Sequence, residues 1–282
     1  MPAKIGIHPR PDTLIHAMPA HVPAANACGI KWSASFPENP SRGLPQTTGL
    51  LALNDEETGL PLAVMDSSWI TARRTPAVSA LACEALARAD SEVLAVIGCG
   101  VQGEGHFEVL PLVLPRLREV RVFDTRTEVA AALAARDGSL PYAVRLCSSP
   151  EDAVRGADVI VSATAILATP DPFIRHEWLR PDALVLPVDF DSAWEWSVFE
   201  AADKLVVDSI EEMEYFRSVG YLPHGLPPIH AEIGELVAGV KVGRERDDEL
   251  IVDMNIGMAV EDVVVAIELY QRALERGVGR LL

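Results

Sequence analysis

The sequence predicts an α/β protein in which a doubly wound parallel sheet is inserted in a second, discontinuous α+β domain. Three observations predict it: short apolar runs alternate with helix-like segments in the middle of the chain, a hairpin signature precedes them, and an amphipathic helix follows them. We expect the second domain to comprise residues 1–90 and 253–282, and the sheet domain to comprise residues 91–252.

The middle of the chain contains six short apolar runs without clean polar alternation, which is typical of strands buried on both faces of a parallel sheet. The runs are residues 93–97, 120–123, 143–146, 159–163, 184–188 and 205–207. Helices are predicted between some of them, over residues 128–136, 150–156 and 210–217.

The two ends of the chain have a different pattern. Residues 50–54 and 61–65 flank a polar segment with turn residues, which predicts a β-hairpin. Residues 76–89 predict a helix with Pro76 in its first turn. Residues 259–275 carry apolar residues at helical spacing. Because a terminal amphipathic helix must cover an apolar surface, we expect it to rejoin the N-terminal part.

Composition excludes several classes of protein. The 282 residues are 49% hydrophobic, enough for a sizeable core, and a net charge of −17 without a basic stripe argues against nucleic acid as a partner. No uncharged apolar stretch reaches the roughly 18 residues that span a bilayer, and the first residues lack signal-peptide features. We therefore expect a soluble, cytoplasmic protein without a membrane partner. The 4 cysteines and 7 histidines show no metal-ligand spacing, and His8, His16 and His21 are scattered along a segment that we expect to be irregular, so no metal is expected.

A glycine-rich motif follows the first apolar run of the middle region. It reads Gly98, Cys99, Gly100, Val101, Gln102, Gly103. Glycines at these three positions permit a tight turn, the approach of the backbone to a pyrophosphate, and close packing of helix on strand. The N-terminus of the following helix supplies N–H groups to the anion. The motif, in this context, predicts a Rossmann-type dinucleotide-binding domain.

Asp124 indicates which dinucleotide binds. It stands at the end of the next strand, about 20 residues after the glycine motif, where a carboxylate accepts hydrogen bonds from the adenosine ribose hydroxyls. A carboxylate there also repels a 2′-phosphate, so NAD is favoured over NADP. Arg126 close by weakens that preference, and Thr125 is included among the predicted cofactor-binding residues.

Three charged residues are candidates for the chemistry. Asp189 follows the run 184–188, at the edge of the sheet where ligands of this architecture bind, and a half-buried carboxylate there could act as general acid and base. Asp191 is a competitor for that role, and capping of a turn is the alternative for either residue. Lys31 and Arg74 have apolar or small neighbours and could bind a substrate carboxylate; the alternative is that each is a surface charge.

Over nearly its whole length the chain resembles the ornithine cyclodeaminase and mu-crystallin family. The motifs that carry the resemblance are residues 29–32, 37–40, 43–45, 55–59, 61–63, 70–75, 98–103, 156–164, 234–236, 255–257 and 261–262. The resemblance implies an NAD(P)-binding domain paired with a discontinuous substrate domain that forms a homodimer.

The resemblance also implies roles for particular residues. Lys31 and Arg74 fall where the family binds the substrate α-carboxylate, and Asp189 falls where the cyclodeaminase branch keeps its acid/base aspartate. Thr75, Ala163 and Thr164 fall at positions that line the dinucleotide. In that branch NAD⁺ takes a hydride from the α-carbon of L-ornithine and later returns it, giving proline and ammonia.

Two departures from the family pattern broaden the range of reactions that we expect. Ala193 stands where the cyclodeaminase branch has a lysine, and only Lys4 stands loosely where the family has an N-terminal arginine, in a chain that begins late. We therefore expect an NAD-dependent enzyme acting on a small α-amino or α-imino acid, with ornithine cyclodeamination as the named reaction. The alternatives are an amino-acid dehydrogenase or ketimine reductase, and a non-catalytic, crystallin-like NAD(P)H- or ligand-binding protein.

Overall fold

A computed structural model of the protein describes residues 1–10, 12–167 and 169–280. The chain forms two compact units, one of Met1–Arg74 with Gly257–Leu282 and one of Thr75–Ile256. The boundaries predicted from the sequence fall after residues 90 and 252, and the last two residues of the predicted terminal segment lie outside the described part. The substrate-binding, dimerisation and cofactor-binding roles of the two domains stay predictions.

The strands are β1 (Ile5–Ile7), β2 (Leu14–Val22), β3 (Ala27–Ser35), β4 (Thr47–Asn54), β5 (Pro61–Asp66), β6 (Val93–Ile97), β7 (Glu119–Phe123), β8 (Ala143–Leu146), β9 (Val159–Ser162), β10 (Leu184–Pro187), β11 (Lys204–Val207), β12 (Ile229–Glu232) and β13 (Ile251–Met254). The helices are α1 (Ser68–Leu86), α2 (Val101–Val109), α3 (Thr127–Ala134), α4 (Pro150–Val154), α5 (Trp196–Ala201), α6 (Ile210–Ser218), α7 (Ile233–Val237) and α8 (Ala259–Glu275).

The first unit is built on a five-stranded antiparallel sheet in the order β1-β2-β3-β4-β5, which includes the predicted β4–β5 hairpin. Leu51 and Leu53 of β4 pack in one buried cluster with Val263 and Ala266 of α8. The amphipathic terminal helix therefore has the bounds that its periodicity predicts, and its apolar side joins the N-terminal sheet as expected.

Alternate residues of the same sheet remain exposed although they are apolar. Ile30 and Trp32 of β3, Leu50 of β4 and Val64 of β5 are all solvent-exposed. Trp32 lies directly opposite Leu50 in the strand register, and Val64 lies opposite Ala52. These four side chains lie on the same side of three adjacent strands and form what we call the apolar sheet face.

Two predictions for this region are wrong. His16 and His21 were expected in an irregular segment, but they lie in β2. The strand tolerates Pro19 because β1 pairs with β2 only up to Ala17, so the proline lies where β2 is an edge strand. The helix expected from residue 76 instead begins at Ser68, where the Asp66 carboxylate accepts the N–H groups of Ser68 and Trp69 at 2.9 and 3.2 Å.

The second unit contains an eight-stranded parallel sheet in the order β12-β11-β13-β10-β9-β6-β7-β8. Successive residues of β6 pack in two different apolar clusters. Leu94 and Val96 belong to one cluster, and Ala95 and Ile97 belong to the other. The sheet is thus buried on both faces, and the predicted fold class is confirmed. The six predicted strands are present, whereas β12 and β13 were not foreseen.

None of the helices in the described ranges is long and apolar enough to cross a membrane. The expectation of a cytoplasmic protein stays a prediction.

Packing of α8 provides a test of the first unit. Val263 is 0% exposed and its neighbour Val264 is 40% exposed. Val263→Ala removes two buried methylene equivalents and leaves a cavity, so we expect a loss of about 2 kcal/mol in the free energy of unfolding. Val264→Ala is the matched control, with an expected change within about 0.5 kcal/mol. Urea unfolding followed by circular dichroism measures both, and equal losses would contradict the described orientation of α8.

Candidate active site

The glycine-rich turn joins β6 to α2. Gly98 has a φ of +87°, a conformation that favours glycine, and a Cβ there would lie 2.6 Å from the Ala163 carbonyl oxygen. A Cβ on Gly103 would overlap the Gly98 carbonyl oxygen. Among the described residues, a Cβ on Gly100 would meet only Arg126 Nη2, at 3.7 Å. The fold therefore requires two of the glycines, while the third leaves an open space beside the backbone.

Helix α2 starts immediately after this turn. Val101, which is exposed, Gln102 and Gly103 form its first turn. Backbone N–H groups and the positive end of the helix dipole are therefore directed toward the open space beside Gly100. An anion such as a pyrophosphate would be stabilised there.

Asp124 follows β7 and is fixed to the glycine turn. Its Oδ2 accepts a hydrogen bond from the N–H of Cys99 at 2.8 Å, and its Oδ1 accepts one from the N–H of Arg126 at 2.8 Å. Burial opposes ionisation of Asp124, but these two N–H groups and the Arg126 guanidinium together lower its pKa below the ordinary value. A carboxylate therefore stands beside the turn, while Thr125 next to it is exposed.

Asp189 follows β10 and is completely buried. It accepts hydrogen bonds from the hydroxyl groups of Ser162 and Thr164 and from the N–H of Thr164, the last at 3.1 Å. Ser162 in turn accepts a hydrogen bond from Trp194 Nε1 at 2.6 Å. Burial raises the pKa of Asp189, and the three donors act in the opposite direction. The carboxylate thus connects the ends of β9 and β10.

Asp191 has different surroundings, although it is only two residues away. Its side chain is 2% exposed, and neither carboxylate oxygen accepts a hydrogen bond from any other described residue. Burial raises the pKa of Asp191 and the nearby Asp189 raises it further, while the main-chain N–H of Asp191 and the side chain of His224 lower it.

Lys31 and Arg74 meet in the first unit through a shared carboxylate on α8. Lys31 Nζ lies 2.5 Å from Asp262 Oδ2, and Arg74 Nε lies 3.3 Å from Asp262 Oδ1. Arg74 Nη1 also contacts Glu261 at 3.1 Å. Lys4, which is buried, donates a hydrogen bond to the Gly257 carbonyl at 3.1 Å. We call these five charged side chains the cationic cluster.

Burial makes the charges of this cluster costly. Desolvation and the nearby Arg74 lower the pKa of Lys31 to about 8, although Asp262 acts in the opposite direction. Burial, with Lys4, His8 and Lys31, lowers the pKa of His16 to about 3, so this histidine is neutral. The cluster therefore contains three cations and two carboxylates.

The side chains that pair with these residues were not predicted from the sequence. Glu261 and Asp262 were part of a family motif without a role, although Asp262 is a charge within the apolar pattern of α8. Ser162, which donates a hydrogen bond to Asp189, was part of the family motif 156–164 but was given no role of its own. Thr75, Ala163 and Thr164 are partly or largely buried, and their contact with a dinucleotide stays a prediction. Within the described ranges, no group of three His, Cys, Asp or Glu side chains could hold a metal ion.

Comparison with known families shows which family this chain belongs to. The model described as the ornithine cyclodeaminase/mu-crystallin family matches residues 1–277. The chain belongs to this family. It is 36% identical, over its full length and 87% of the relative, to the nodulation efficiency protein NfeD of Rhizobium meliloti. It is 34% identical to the alanine dehydrogenase of Archaeoglobus fulgidus, over 94% of this chain and 82% of that protein.

Solved structures of this family have the same fold. One is the Thermococcus litoralis Δ1-pyrroline-2-carboxylate reductase in complex with NADH and L-proline, with a TM-score of 0.85, 30% identity, and coverage of 100% of this chain and 89% of that one. Another is an archaeal alanine dehydrogenase dimer with bound NAD, with a TM-score of 0.85, 33% identity, and coverage of 99% and 87%. The predicted family is confirmed, and these activities support the prediction of an enzyme of the amino-acid dehydrogenase or imine reductase type.

Proposed function

We propose that this protein is an NAD(H)-dependent enzyme that transfers a hydride to or from the α-carbon of a small α-amino or α-imino acid. The observation that carries the proposal is the buried cationic cluster, which brings the side chains of Lys4, Lys31 and Arg74 together. Such a cluster suits a single carboxylate anion, which is the group that all α-amino and α-imino acids share.

The residues of the glycine turn fit the cofactor. The space beside Gly100 would admit a pyrophosphate, and the first turn of α2, with Val101 and Gln102, would donate N–H groups to it. The bound NAD(H) would supply the hydride donor or acceptor. Because Asp124 is ionised, it would bind ribose hydroxyl groups and repel a 2′-phosphate, which favours NAD over NADP. Thr75, Thr125, Ala163 and Thr164 are the other residues to which we assign cofactor contacts.

The substrate carboxylate is assigned to Lys31 and Arg74, with Lys4 as a third cation. Arg74 can form a paired hydrogen bond to a carboxylate, because its planar guanidinium presents parallel N–H groups. Lys31 would supply charge. A bound anion would raise the pKa of Lys31 again, so substrate binding and protonation of this amine would support each other.

Hydride transfer at the α-carbon also requires a proton at the neighbouring nitrogen. Reduction of an imine consumes one proton there, and oxidation of an amine releases one. A carboxyl group at the ends of β9 and β10 is suited to this exchange. The resemblance favours Asp189, and Asp191 is its competitor.

The net reaction that we favour is that of an amino-acid dehydrogenase or imine reductase. The family relationship keeps cyclodeamination of L-ornithine as a second candidate. One observation argues against cyclodeamination: Ala193 stands where the cyclodeaminase branch has a lysine. Its side chain is buried and has no polar atom that could contact the side-chain amine of ornithine. A non-catalytic carrier of NAD(P)H or a small ligand is the alternative from another class.

A turnover experiment tests the proposed function. The protein is mixed with NADH and a cyclic α-imino acid, or with pyruvate and ammonia, and with NAD⁺ and L-alanine, L-proline or L-ornithine. We expect oxidation of NADH with an imino acid, followed at 340 nm. Proline and ammonia formed from L-ornithine without lasting NADH would instead support cyclodeamination. Tight NADH binding without any turnover would support the carrier.

The Gly100→Ala variant tests whether the glycine turn binds the cofactor. The new methyl group fits the fold but occupies the space assigned to the pyrophosphate, so we expect NADH affinity to fall at least tenfold with an unchanged melting temperature. Gly234→Ala is the control, because no described atom lies within 4 Å of a Cβ there. NADH fluorescence measures both. An unchanged affinity in Gly100→Ala would contradict the assignment.

The pKa of Lys31 predicts how carboxylate binding depends on pH. Because the pKa of Lys31 is about 8, its ammonium form, which attracts the anion, is lost as pH rises above 8. We expect inhibition by pyrrole-2-carboxylate, which has no basic amine, to be constant below this pH and to weaken about tenfold per unit above it. Lys31→Arg should remove the dependence, because arginine stays charged. A flat profile in the native protein would exclude Lys31 from the carboxylate site.

We also propose that the protein is a homodimer and that the apolar sheet face forms its interface. Trp32 is 50% exposed there and lies opposite Leu50 in the strand register. Trp32→Glu would place a charge in the interface, so we expect a mass near 30.4 kDa instead of twice that value in light scattering. Leu60→Glu is the control, because Leu60 is exposed in the β4–β5 turn. A native monomer, or a dimer in both variants, would contradict this interface.

A further inference from the structure

A buried histidine of α2 forms hydrogen bonds through both of its ring nitrogens. His106 is 0% exposed, and its Nε2 lies 2.9 Å from the Oγ of Ser79, a residue of α1. Its Nδ1 lies 2.7 Å from the carbonyl oxygen of Gln102, one helical turn earlier in α2. The chemistry proposed above does not involve His106.

The two contacts fix the protonation state of the ring. A carbonyl oxygen only accepts hydrogen bonds, so Nδ1 carries the proton, and Nε2 accepts the hydroxyl proton of Ser79. Burial lowers the pKa of His106 to about 4, although the bond to the Gln102 carbonyl acts in the opposite direction. The imidazole is therefore neutral at physiological pH and has a single tautomer.

The surroundings of His106 do not require a polar side chain. Helices α1 and α2 contribute to the same apolar cluster, which contains Cys83 of α1 and Phe107 of α2. A buried imidazole is tolerated there only when its nitrogens are paired, whereas an apolar side chain would need no partner. Polar groups that packing does not require are concentrated at functional sites.

The bond to the Gln102 carbonyl acts on the peptide group that joins Gln102 to Gly103. The N–H of that peptide group belongs to Gly103, in the first turn of α2, where N–H groups have no acceptor within the helix. A hydrogen bond to the carbonyl polarises the peptide group and makes its N–H a stronger donor. His106 therefore strengthens the end of α2 to which the pyrophosphate is assigned.

Ser79 links this end of α2 to α1. It lies one helical turn after Thr75 in α1, and residues four apart lie on the same side of a helix. Thr75 is one of the residues to which cofactor contacts are assigned. The Ser79 hydroxyl also holds the imidazole in the orientation in which Nδ1 faces the Gln102 carbonyl.

We propose that His106, held by Ser79, is a positioning residue for the cofactor and acts through the Gln102–Gly103 peptide group on the pyrophosphate of NAD(H). This inference rests on the proposed function. Because the pyrophosphate takes no part in hydride transfer, its contacts are equal in the ground state and the transition state. Loss of the His106 contact should therefore raise the KM for NADH and leave kcat unchanged.

Two amide variants separate the roles of the two ring nitrogens. In His106→Asn the amide can replace Nδ1 and donate to the Gln102 carbonyl, whereas in His106→Gln it can replace Nε2 and accept from Ser79. We expect the NADH dissociation constant and KM to rise about fivefold in His106→Gln, as for the loss of one hydrogen bond, with kcat close to native. His106→Asn should restore most of the affinity, although both variants lose the ring and should melt at a lower temperature.

Phe107→Leu is the control for stability alone. Phe107 is buried in the same cluster and has no polar group, so the variant should melt at a lower temperature and bind NADH with native affinity. NADH fluorescence and thermal unfolding measure all three variants. Equal NADH affinity in the two amide variants would overturn the inference.

The tautomer gives a second readout that does not depend on turnover. NMR spectra of the nitrogen-labelled native protein should show a protonated Nδ1 and an unprotonated Nε2 in His106, and the other tautomer would also overturn the inference. Failure of the proposed function has a different signature. The native protein would then bind NADH without turnover of any imino or amino acid, while the two amide variants would still differ in NADH affinity.

Discussion

The first unit depends on one buried ionic interaction, in which Asp262 of α8 faces Lys31 of β3 and Arg74 of α1. Buried charges are tolerated only when they are paired, and removal of one partner typically costs several kcal/mol because it leaves an unpaired charge. The C-terminal helix must therefore return to the N-terminal sheet, and Gly257 precedes it because a Cβ there would overlap the Arg74 guanidinium. The discontinuity of this unit thus has an electrostatic reason as well as an apolar one.

Much of the fold could be predicted from local patterns. The apolar runs of the parallel sheet and the periodicity of α8 are properties of contiguous residues. The errors occur where a local signal conflicts with a distant partner. Pro19 is compatible with β2 only because β1 ends before it, Pro76 lies inside α1 despite its missing N–H group, and Asp253 interrupts the apolar run of β13. No short window of sequence contains the information that resolves these conflicts.

The candidate site shows the same limit. Residue type and position were enough to select Lys31, Arg74 and Asp189, but not to say what each one touches. Their partners Asp262, Glu261 and Ser162 lie in other elements of the chain. The hydrogen bond from Ser162, for example, distinguishes the surroundings of Asp189 from those of Asp191. Two aspartates separated by a single residue are equivalent in sequence and different in structure.

The bond between Cys99 N–H and the Asp124 carboxylate has a consequence for cofactor engineering. Asp124, which would discriminate between NAD and NADP, also accepts a hydrogen bond from the glycine turn to which the pyrophosphate is assigned. Replacing Asp124 with a small neutral residue to admit a 2′-phosphate would remove this hydrogen bond as well, and so would weaken binding of both NAD and NADP. A successful redesign must restore an acceptor for that amide from elsewhere in the loop.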